Sequence, residues 1–225
     1  MHINKPLNNV LGNETRIEIL RTFFKYPGEF TGRQVARLCE LPHATVHKQL
    51  DVLSNSKVLL NKHVARSKIY SLNRDSVLYS VLENLFKQES TVRQTIKSQV
   101  EESIKENQRL RNDLVHASIY GSMIAGKESV DSDIDVFLVL KDAYDHENLD
   151  RWKDQIRTTI TTISGTQMHP FTETISHLPK LNKATKQGIM QNSELVYGKT
   201  LDDMEKKWQR NQKQERQPQV PKRSS

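Results

Sequence analysis

The first third of the chain alternates apolar positions at helical spacing with short turn sequences. Three amphipathic segments are predicted to form helices, with residues such as Leu20, Val35 and Leu38 turned inward. Two β-like runs, separated by a small basic turn, follow them. The predicted helices and strands, in the order of a winged helix-turn-helix, are at about 14–25, 32–40, 43–55, 57–64 and 68–73.

The middle of the chain carries two different helical patterns. A first apolar stripe is expected to pack on the first domain or on a second copy of it; its residues are Leu78, Val81, Leu82, Leu85 and Phe86. From 89 to 112 the sequence is highly polar, and its few apolar residues lie four apart. This helix packs along one edge of the next domain or pairs with its twin in a homodimer, and the absence of strict heptads gives no support for pairing.

Strand and helix patterns are mixed in the last part of the chain. Two apolar runs predict buried strands, and a longer segment with apolar residues at helical spacing predicts a helix that ends at Gly165. The expected elements are strands at 115–120, 134–140, 166–172 and 195–197, and helices at about 146–163 and 183–191. These elements predict a small mixed sheet, too short for a full doubly wound domain.

The expected fold class is therefore α+β. We expect an N-terminal winged helix-turn-helix at 1–75, a helical connector at 76–112 and a small mixed-sheet domain at 113–201. The remaining residues, 202–225, form a basic tail whose composition predicts disorder.

Composition excludes some classes of protein. No run of eighteen apolar residues is present, so no membrane span is expected. The N-terminus lacks the apolar core of a signal peptide. The single cysteine, Cys39, cannot form an internal disulfide and is predicted to pack in a helix. We therefore expect a cytoplasmic protein without a membrane partner.

Charge is unevenly distributed along the chain. Residues 1–74 carry a net charge of +7, residues 75–205 a net charge of −6, and residues 206–225 a net charge of +6. Basic ends suit a polyanion such as double-stranded DNA, whereas an acidic middle suits a domain that binds cations.

The candidate DNA-binding residues lie on the third helix and the hairpin. Thr45, His47 and Lys48 would face base edges or backbone if that helix entered the major groove. Arg66 and Lys68 would contact phosphate from the hairpin, or wing. Winged helices also serve as protein-interaction or dimerisation modules, but the basic surplus favours DNA.

Two segments of this first domain resemble winged-helix regulators of the ArsR/MarR kind. They are residues 30–37, Phe-Thr-Gly-Arg-Gln-Val-Ala-Arg, and residues 45–53, Thr-Val-His-Lys-Gln-Leu-Asp-Val-Leu. The resemblance covers about a third of the chain and implies a DNA-binding role.

Two aspartates one residue apart, Asp133 and Asp135, open an apolar run. Alternate residues of a strand point to the same face, so the two carboxylates project together with Ile134 turned into the core. Adjacent carboxylates repel each other unless a cation lies between them, and Mg²⁺ takes such ligands together with substrate phosphates. Upstream, Gly121 lets a phosphate approach the backbone, and Ser122 supplies a hydroxyl and an N–H. The pattern predicts a site for a metal and a triphosphate.

A simpler interpretation of the acidic segment is a turn stabilised by the side chains of Asp131 and its neighbours. That interpretation explains one aspartate before a strand, but it does not explain Asp135 within an apolar strand.

Gly121-Ser122 followed by Asp133-Ile134-Asp135 resembles the minimal nucleotidyltransferases of the DNA polymerase β superfamily. Residues 165–171 and 193–198 are also similar to a group of prokaryotic regulators that carry such a domain. The resemblance implies that the two aspartates hold one or two Mg²⁺ ions and act catalytically, while Gly121 and Ser122 bind the β- and γ-phosphates of an NTP. The acceptor would be a hydroxyl of a small molecule, a protein or an RNA.

The chain departs from this family in two places. Active members usually add a third carboxylate from a following strand, where this chain has His169; the nearest acid, Glu173, is expected to lie beyond that strand. The family also often has an arginine in the loop after Gly-Ser, where this chain has Ala125.

Three functions remain open at this point. The first is a DNA-binding transcriptional regulator whose nucleotidyltransferase-like domain binds NTP and Mg²⁺. The second is an active nucleotidyltransferase that moves an NMP to a protein, RNA or small-molecule hydroxyl. The third is a DNA-binding regulator with an inactive domain used for dimerisation.

Overall fold

The computed structural model describes residues 7–126 and 132–206. Most of the predicted basic tail, and the turn residue Asp131, lie outside these residues. The chain divides into two compact units, residues 1–91 and residues 92–225. Within the described ranges, no helix has the length and apolar character needed to cross a membrane.

The first unit contains the predicted helices and hairpin, preceded by a short additional helix. A two-residue strand completes a three-stranded antiparallel sheet in the order β1-β3-β2. Its elements are α1 (Asn8–Leu11), α2 (Glu14–Lys25), β1 (Phe30–Thr31), α3 (Gly32–Leu38), α4 (His43–Asn55), β2 (Leu59–Val64) and β3 (Ser67–Leu72).

Local capping fixes where the helices of this unit begin. The side chain of Asn13 accepts a hydrogen bond from the backbone N–H of Arg16 and so caps the start of α2. Thr31 and Gln34 form a reciprocal capping box at the start of α3. The inward position of Leu38 was predicted wrongly: it is 42% exposed, and Cys39, buried as expected, faces the core instead.

Helix α5 (Tyr79–Glu106) begins in the first unit and ends in the second. Only part of the predicted stripe faces the core of the first unit, because residues four apart keep to one side of the helix. Leu78, Leu82 and Phe86 are buried, whereas Val81 is 50% and Leu85 46% exposed. Packing on the first domain is therefore confirmed for three of the five residues, and packing of the other two on a second copy stays a prediction.

The second unit is built on a mixed four-stranded sheet in the order β6-β5-β4-β7. Strands β5 and β6 are parallel, and the other two pairs are antiparallel. Its elements are α6 (Gln108–Asp113), β4 (Leu114–Tyr120), α7 (Ser122–Ala125), β5 (Ile134–Leu140), α8 (His146–Ser164), β6 (Met168–Thr174), a 3₁₀ turn (Leu178–Lys180), α9 (Lys183–Gln191) and β7 (Ser193–Gly198). Residues 201–206 are also helical. The predicted α+β fold class is confirmed.

The two faces of this sheet are covered by different elements. On one face, Ile134, Val136 and Leu138 pack against α8 and the end of α5, and Trp152 of α8 donates a hydrogen bond to Ser103 (3.2 Å). On the other face, Phe137 packs with residues of the 3₁₀ turn and α9. Strand β5 is thus apolar on both sides, which explains its nearly continuous hydrophobic run.

One buried polar pair joins β4 to the chain after β7. His116 Nδ1 donates to the carbonyl of Lys199 (2.6 Å), and its Nε2 accepts from the hydroxyl of Ser118 (2.8 Å). His116 is 2% exposed and Ser118 is fully buried. The carbonyl can only accept, so the contact fixes the neutral imidazole with its proton on Nδ1.

This histidine predicts a pH dependence of stability. Burial holds the pKa of the His116 imidazole below its ordinary value of about 6.5. As the pH falls, the unfolded chain therefore binds a proton before the folded chain does. We expect the free energy of unfolding to decrease below about pH 6.5, by at most about 1.4 kcal/mol per pH unit, in urea titrations at a series of pH values.

The control for this experiment is an exposed histidine. His116→Gln should flatten the decrease, because it removes the titrating group, whereas His63→Gln, an exposed position on β2, should leave it unchanged. An equal pH dependence in the wild type and His116→Gln would contradict the assignment.

Candidate functional site

The backbone after β4 turns sharply against one of the predicted aspartates. Gly121 has φ +87°, a conformation that favours glycine. A Cβ atom added to Gly121 would lie 2.7 Å from Oδ2 of Asp135. The N–H of Gly121 donates to the carbonyl of Asn192 (3.2 Å), which holds the turn in place. Glycine is therefore required here both for its backbone conformation and for its lack of a side chain.

Sheet pairing places the acidic residues at one end of the central strand. Asp135 lies opposite Tyr120 on β4 and opposite His169 on β6. Asp133 immediately precedes β5, and its Oδ2 lies 3.4 Å from Nε2 of His169. Ile134, between the two aspartates, is buried as predicted. Asp133, Asp135 and His169 thus lie together beside the Gly121 turn.

The surroundings disfavour the charged form of one carboxylate. Burial raises the pKa of the Asp135 carboxyl, His169 opposes that rise, and the charge of Asp133 adds to it. Burial and then the charge of Asp135 also raise the pKa of the Tyr120 hydroxyl. A cation placed between the two carboxylates would offset both the desolvation and the repulsion.

The donor set fits a metal ion that keeps open positions. In the described part of the chain, no group of three or more His, Cys, Asp and Glu side chains is arranged to hold a metal. Asp133 is about half exposed, with 49% of its side-chain surface accessible, so a ligand can reach it. Mg²⁺ is commonly bound by one or two carboxylates together with phosphates and water, which is what Asp133 and Asp135 can provide.

Strand β6 ends later in the chain than predicted. Glu173 was predicted to lie beyond this strand, but β6 extends to Thr174 and contains it. Glu173 pairs with Val139 in the parallel register, four residues and about 13 Å along the strand from His169. Its carboxylate lies 3.9 Å from Nδ1 of His177. The side chain opposite Asp135 is therefore an imidazole, and Glu173 is distant from the aspartates.

The loop after Gly121 forms a short helix. Helix α7 (Ser122–Ala125) ends at Gly126, which has φ +65°. The first N–H groups of any helix have no partner within it, and Ser122 places its N–H and hydroxyl in that first turn. Helix α7 thus follows directly after Gly121, next to which the Asp135 carboxylate lies.

On the first unit, the predicted DNA-facing residues lie on the solvent side of α4. Thr45, His47 and Lys48 are exposed, while Val46 and Leu50 on the opposite side are buried. The structure therefore presents these three side chains to solvent on one helix.

A single carboxylate contacts two of the predicted DNA-binding residues. Asp51 Oδ1 accepts a hydrogen bond from Lys68 Nζ on β3 (2.7 Å), and Asp51 Oδ2 lies 3.5 Å from His47 Nδ1. Hydrogen bonding to Asp51 raises the pKa of Lys68. Arg66 is exposed at the tip of the hairpin. The spacing of four residues between His47 and Asp51 on a helix is a signal in the sequence for such a pair.

A known family matches much of the second unit. A family model described as Polymerase beta, Nucleotidyltransferase matches residues 99–201. Among solved structures, a toxin–antitoxin complex with AMP-PNP is 14% identical, with a TM-score of 0.35, over 52% of this chain and 90% of that chain.

Two further solved structures are similar to this chain over different shares of its length. HlyU from Vibrio cholerae N16961 is 21% identical, with a TM-score of 0.34, over 39% of this chain and 97% of that chain. The archaeal chromatin protein TrmBL2 is 13% identical, with a TM-score of 0.29, over 83% of this chain and 73% of that chain. No curated protein matches the sequence. The family model shows that residues 99–201 form a nucleotidyltransferase-like domain.

Proposed function

We propose that the protein is a DNA-binding transcriptional regulator whose nucleotidyltransferase-like domain binds an NTP with Mg²⁺. The observation that carries the nucleotide part is the close approach of the Asp135 carboxylate to Gly121, which leaves no room for a side chain there, with Asp133 at the same end of the strand. This contact joins a turn that can approach phosphate to a pair of carboxylates that can hold a cation.

Each residue of the site has a defined part in this proposal. Asp133 and Asp135 hold the metal, and the lack of a side chain at Gly121 lets the Asp135 carboxylate lie against the turn. Ser122 donates its N–H and hydroxyl to the β- and γ-phosphates. Bound Mg²⁺ supplies charge that offsets the negative charge of the triphosphate.

Nucleotide binding without rapid transfer is the outcome that the strand composition favours. The residue opposite Asp135 is His169 and not a carboxylate, so the metal has two acidic protein ligands. An imidazole can nevertheless accept a proton from an acceptor hydroxyl. An active nucleotidyltransferase acting on a protein, an RNA or a small molecule is therefore the second candidate.

The DNA part of the proposal rests on charge and exposure. Residues 1–74 carry a net charge of +7, and Thr45, Lys48 and Arg66 are exposed. In a winged helix-turn-helix, α4 would lie in the major groove, while the β2–β3 hairpin would contact phosphate. A positively charged surface with this arrangement suits double-stranded DNA.

Substitutions at the aspartates test the nucleotide site. Asp133→Asn and Asp135→Asn should each weaken Mg²⁺-dependent NTP binding by at least about tenfold. Substitution of a residue that only hydrogen-bonds to a metal ligand already lowers metal affinity by about that factor. Calorimetric titration of the full chain with each of the four NTPs, with Mg²⁺ and with EDTA, measures the effect. Equal NTP affinity in the wild type and both variants would contradict the proposal.

A glycine pair provides a matched control for that titration. Gly121→Ala should abolish binding, because the new Cβ would displace the Asp135 carboxylate. Gly126→Ala also places alanine at positive φ, but its Cβ has no atom within 4 Å and should leave binding largely intact.

Incubation with labelled NTP and cell extract separates the nucleotide-binding regulator from the active enzyme. Only an active enzyme transfers label to an acceptor, and Asp135→Asn should abolish that transfer.

Two basic residues test the DNA surface. Lys48→Ala and Arg66→Ala should weaken binding to duplex DNA, and each lost phosphate contact should reduce the slope of log K against log salt by about 0.9. Fluorescence anisotropy with a labelled duplex of arbitrary sequence at several salt concentrations measures both quantities. Lys105→Ala, an exposed lysine paired with Glu101 in the second unit, is the control. Unchanged affinity and slope in both test variants would rule out this surface as the DNA reader.

A further inference from the structure

The second unit contains a cavity on the face of the sheet opposite α8. It has a volume of about 250 Å³ and lies between Phe137 of β5, the 3₁₀ turn, α9 and the helical residues 201–206. Its apolar lining includes Phe137, Leu178, Leu181, Ile189, Leu201 and Met204.

Several of the charged side chains that line this cavity form hydrogen bonds. Lys186 of α9 donates to Glu205 (2.6 Å), which joins two walls of the cavity. The carboxylate of Asp203 accepts from the hydroxyl of Thr200 (2.7 Å). Three of the four charged side chains that line the cavity are therefore hydrogen-bonded, the fourth being that of Lys199, and the apolar residues offer contact to an uncharged molecule.

The cavity is separate from the proposed nucleotide site. Its lining includes Val115, near the start of β4, whereas Gly121 follows the other end of that strand, six residues and about 20 Å away. Between them, the ring of Phe137 stacks on Phe171 (centroids 5.5 Å apart) and meets Tyr120 edge-on (6.5 Å). This aromatic layer divides the cavity from the Gly121 turn.

The size and lining of the cavity indicate the class of ligand. A closed apolar cavity of about 150 Å³ binds benzene. The cavity here is partly open, and its volume of about 250 Å³ has room for a molecule of roughly bicyclic aromatic size. Met190 and Met204 contribute flexible thioethers that adapt to an aromatic ring. Apolar cavities with few polar groups are typical of small-molecule sites.

We infer that this cavity is a binding site for a small, uncharged, apolar molecule of about bicyclic aromatic size. The inference goes beyond the proposed function, because it concerns a different ligand at a different place in the domain. It gives the nucleotidyltransferase-like domain a second ligand site, walled by β5 on the face that also carries Asp135.

Fluorescence titration of the full chain with 2-naphthol tests this inference. We expect saturable binding of one molecule per chain. Leu181→Trp should weaken it by at least about tenfold, because the larger side chain fills a cavity of this size. Leu195→Trp makes the same change at an exposed position of β7, outside the cavity lining, and should leave the affinity within about twofold of the wild type.

Two further variants keep the test decisive. Met190→Phe fills the cavity from α9 and should also weaken binding, which covers the case in which Leu181→Trp does not fold, as judged by circular dichroism. Asp135→Asn should leave 2-naphthol binding unchanged, so a failure of the nucleotide proposal is distinguishable from a failure here. Absence of saturable binding, or full affinity in both cavity-filling variants, would overturn the inference.

Discussion

Burial of β5 on both faces is the constraint on which the second unit depends. Its side chains alternate between a core formed with α8 and a core formed with the 3₁₀ turn and α9. Residues from Val136 to Leu140 are at most 1% exposed, and an unpaired carboxylate among them would be very costly. Asp135 is tolerated because it lies near the open end of the strand, next to exposed Asp133. The fold therefore places the two aspartates, Asp133 and Asp135, at the end of β5 that lies outside the core.

Much of the secondary structure follows from sequence pattern alone. The bounds of α4 and α9, and the positions of the two central strands, agree with the predictions because periodicity and turn residues determine them locally. An error arises where only packing decides, as at Leu38, which has helical spacing but faces solvent. Hydropathy along one helix cannot indicate which side of a wide apolar stripe meets a neighbour.

The candidate site shows the same division between local and tertiary information. Composition and spacing indicate Asp133, Asp135, Gly121 and Ser122 as candidates, since each residue type suits the role proposed for it. The parallel register that sets His169 opposite Asp135 depends on long-range pairing and is not encoded in either strand alone. The same holds for the contact of 2.7 Å that a side chain at Gly121 would make with Asp135. Sequence therefore indicates the chemistry, and tertiary structure determines the distances that allow it.

Asp51 has a consequence for how the first unit would respond to ions. Its two oxygens already face Lys68 and His47, so a Lys68 side chain that turned wholly to a phosphate would leave one Asp51 oxygen without its hydrogen bond. The freed Asp51 would attract a cation from solution while the DNA releases one, and the two exchanges would largely cancel. The slope of log K against log salt would then report fewer released ions than there are basic side chains at the interface. The net charge of the first unit would consequently overestimate the salt dependence of its binding to DNA.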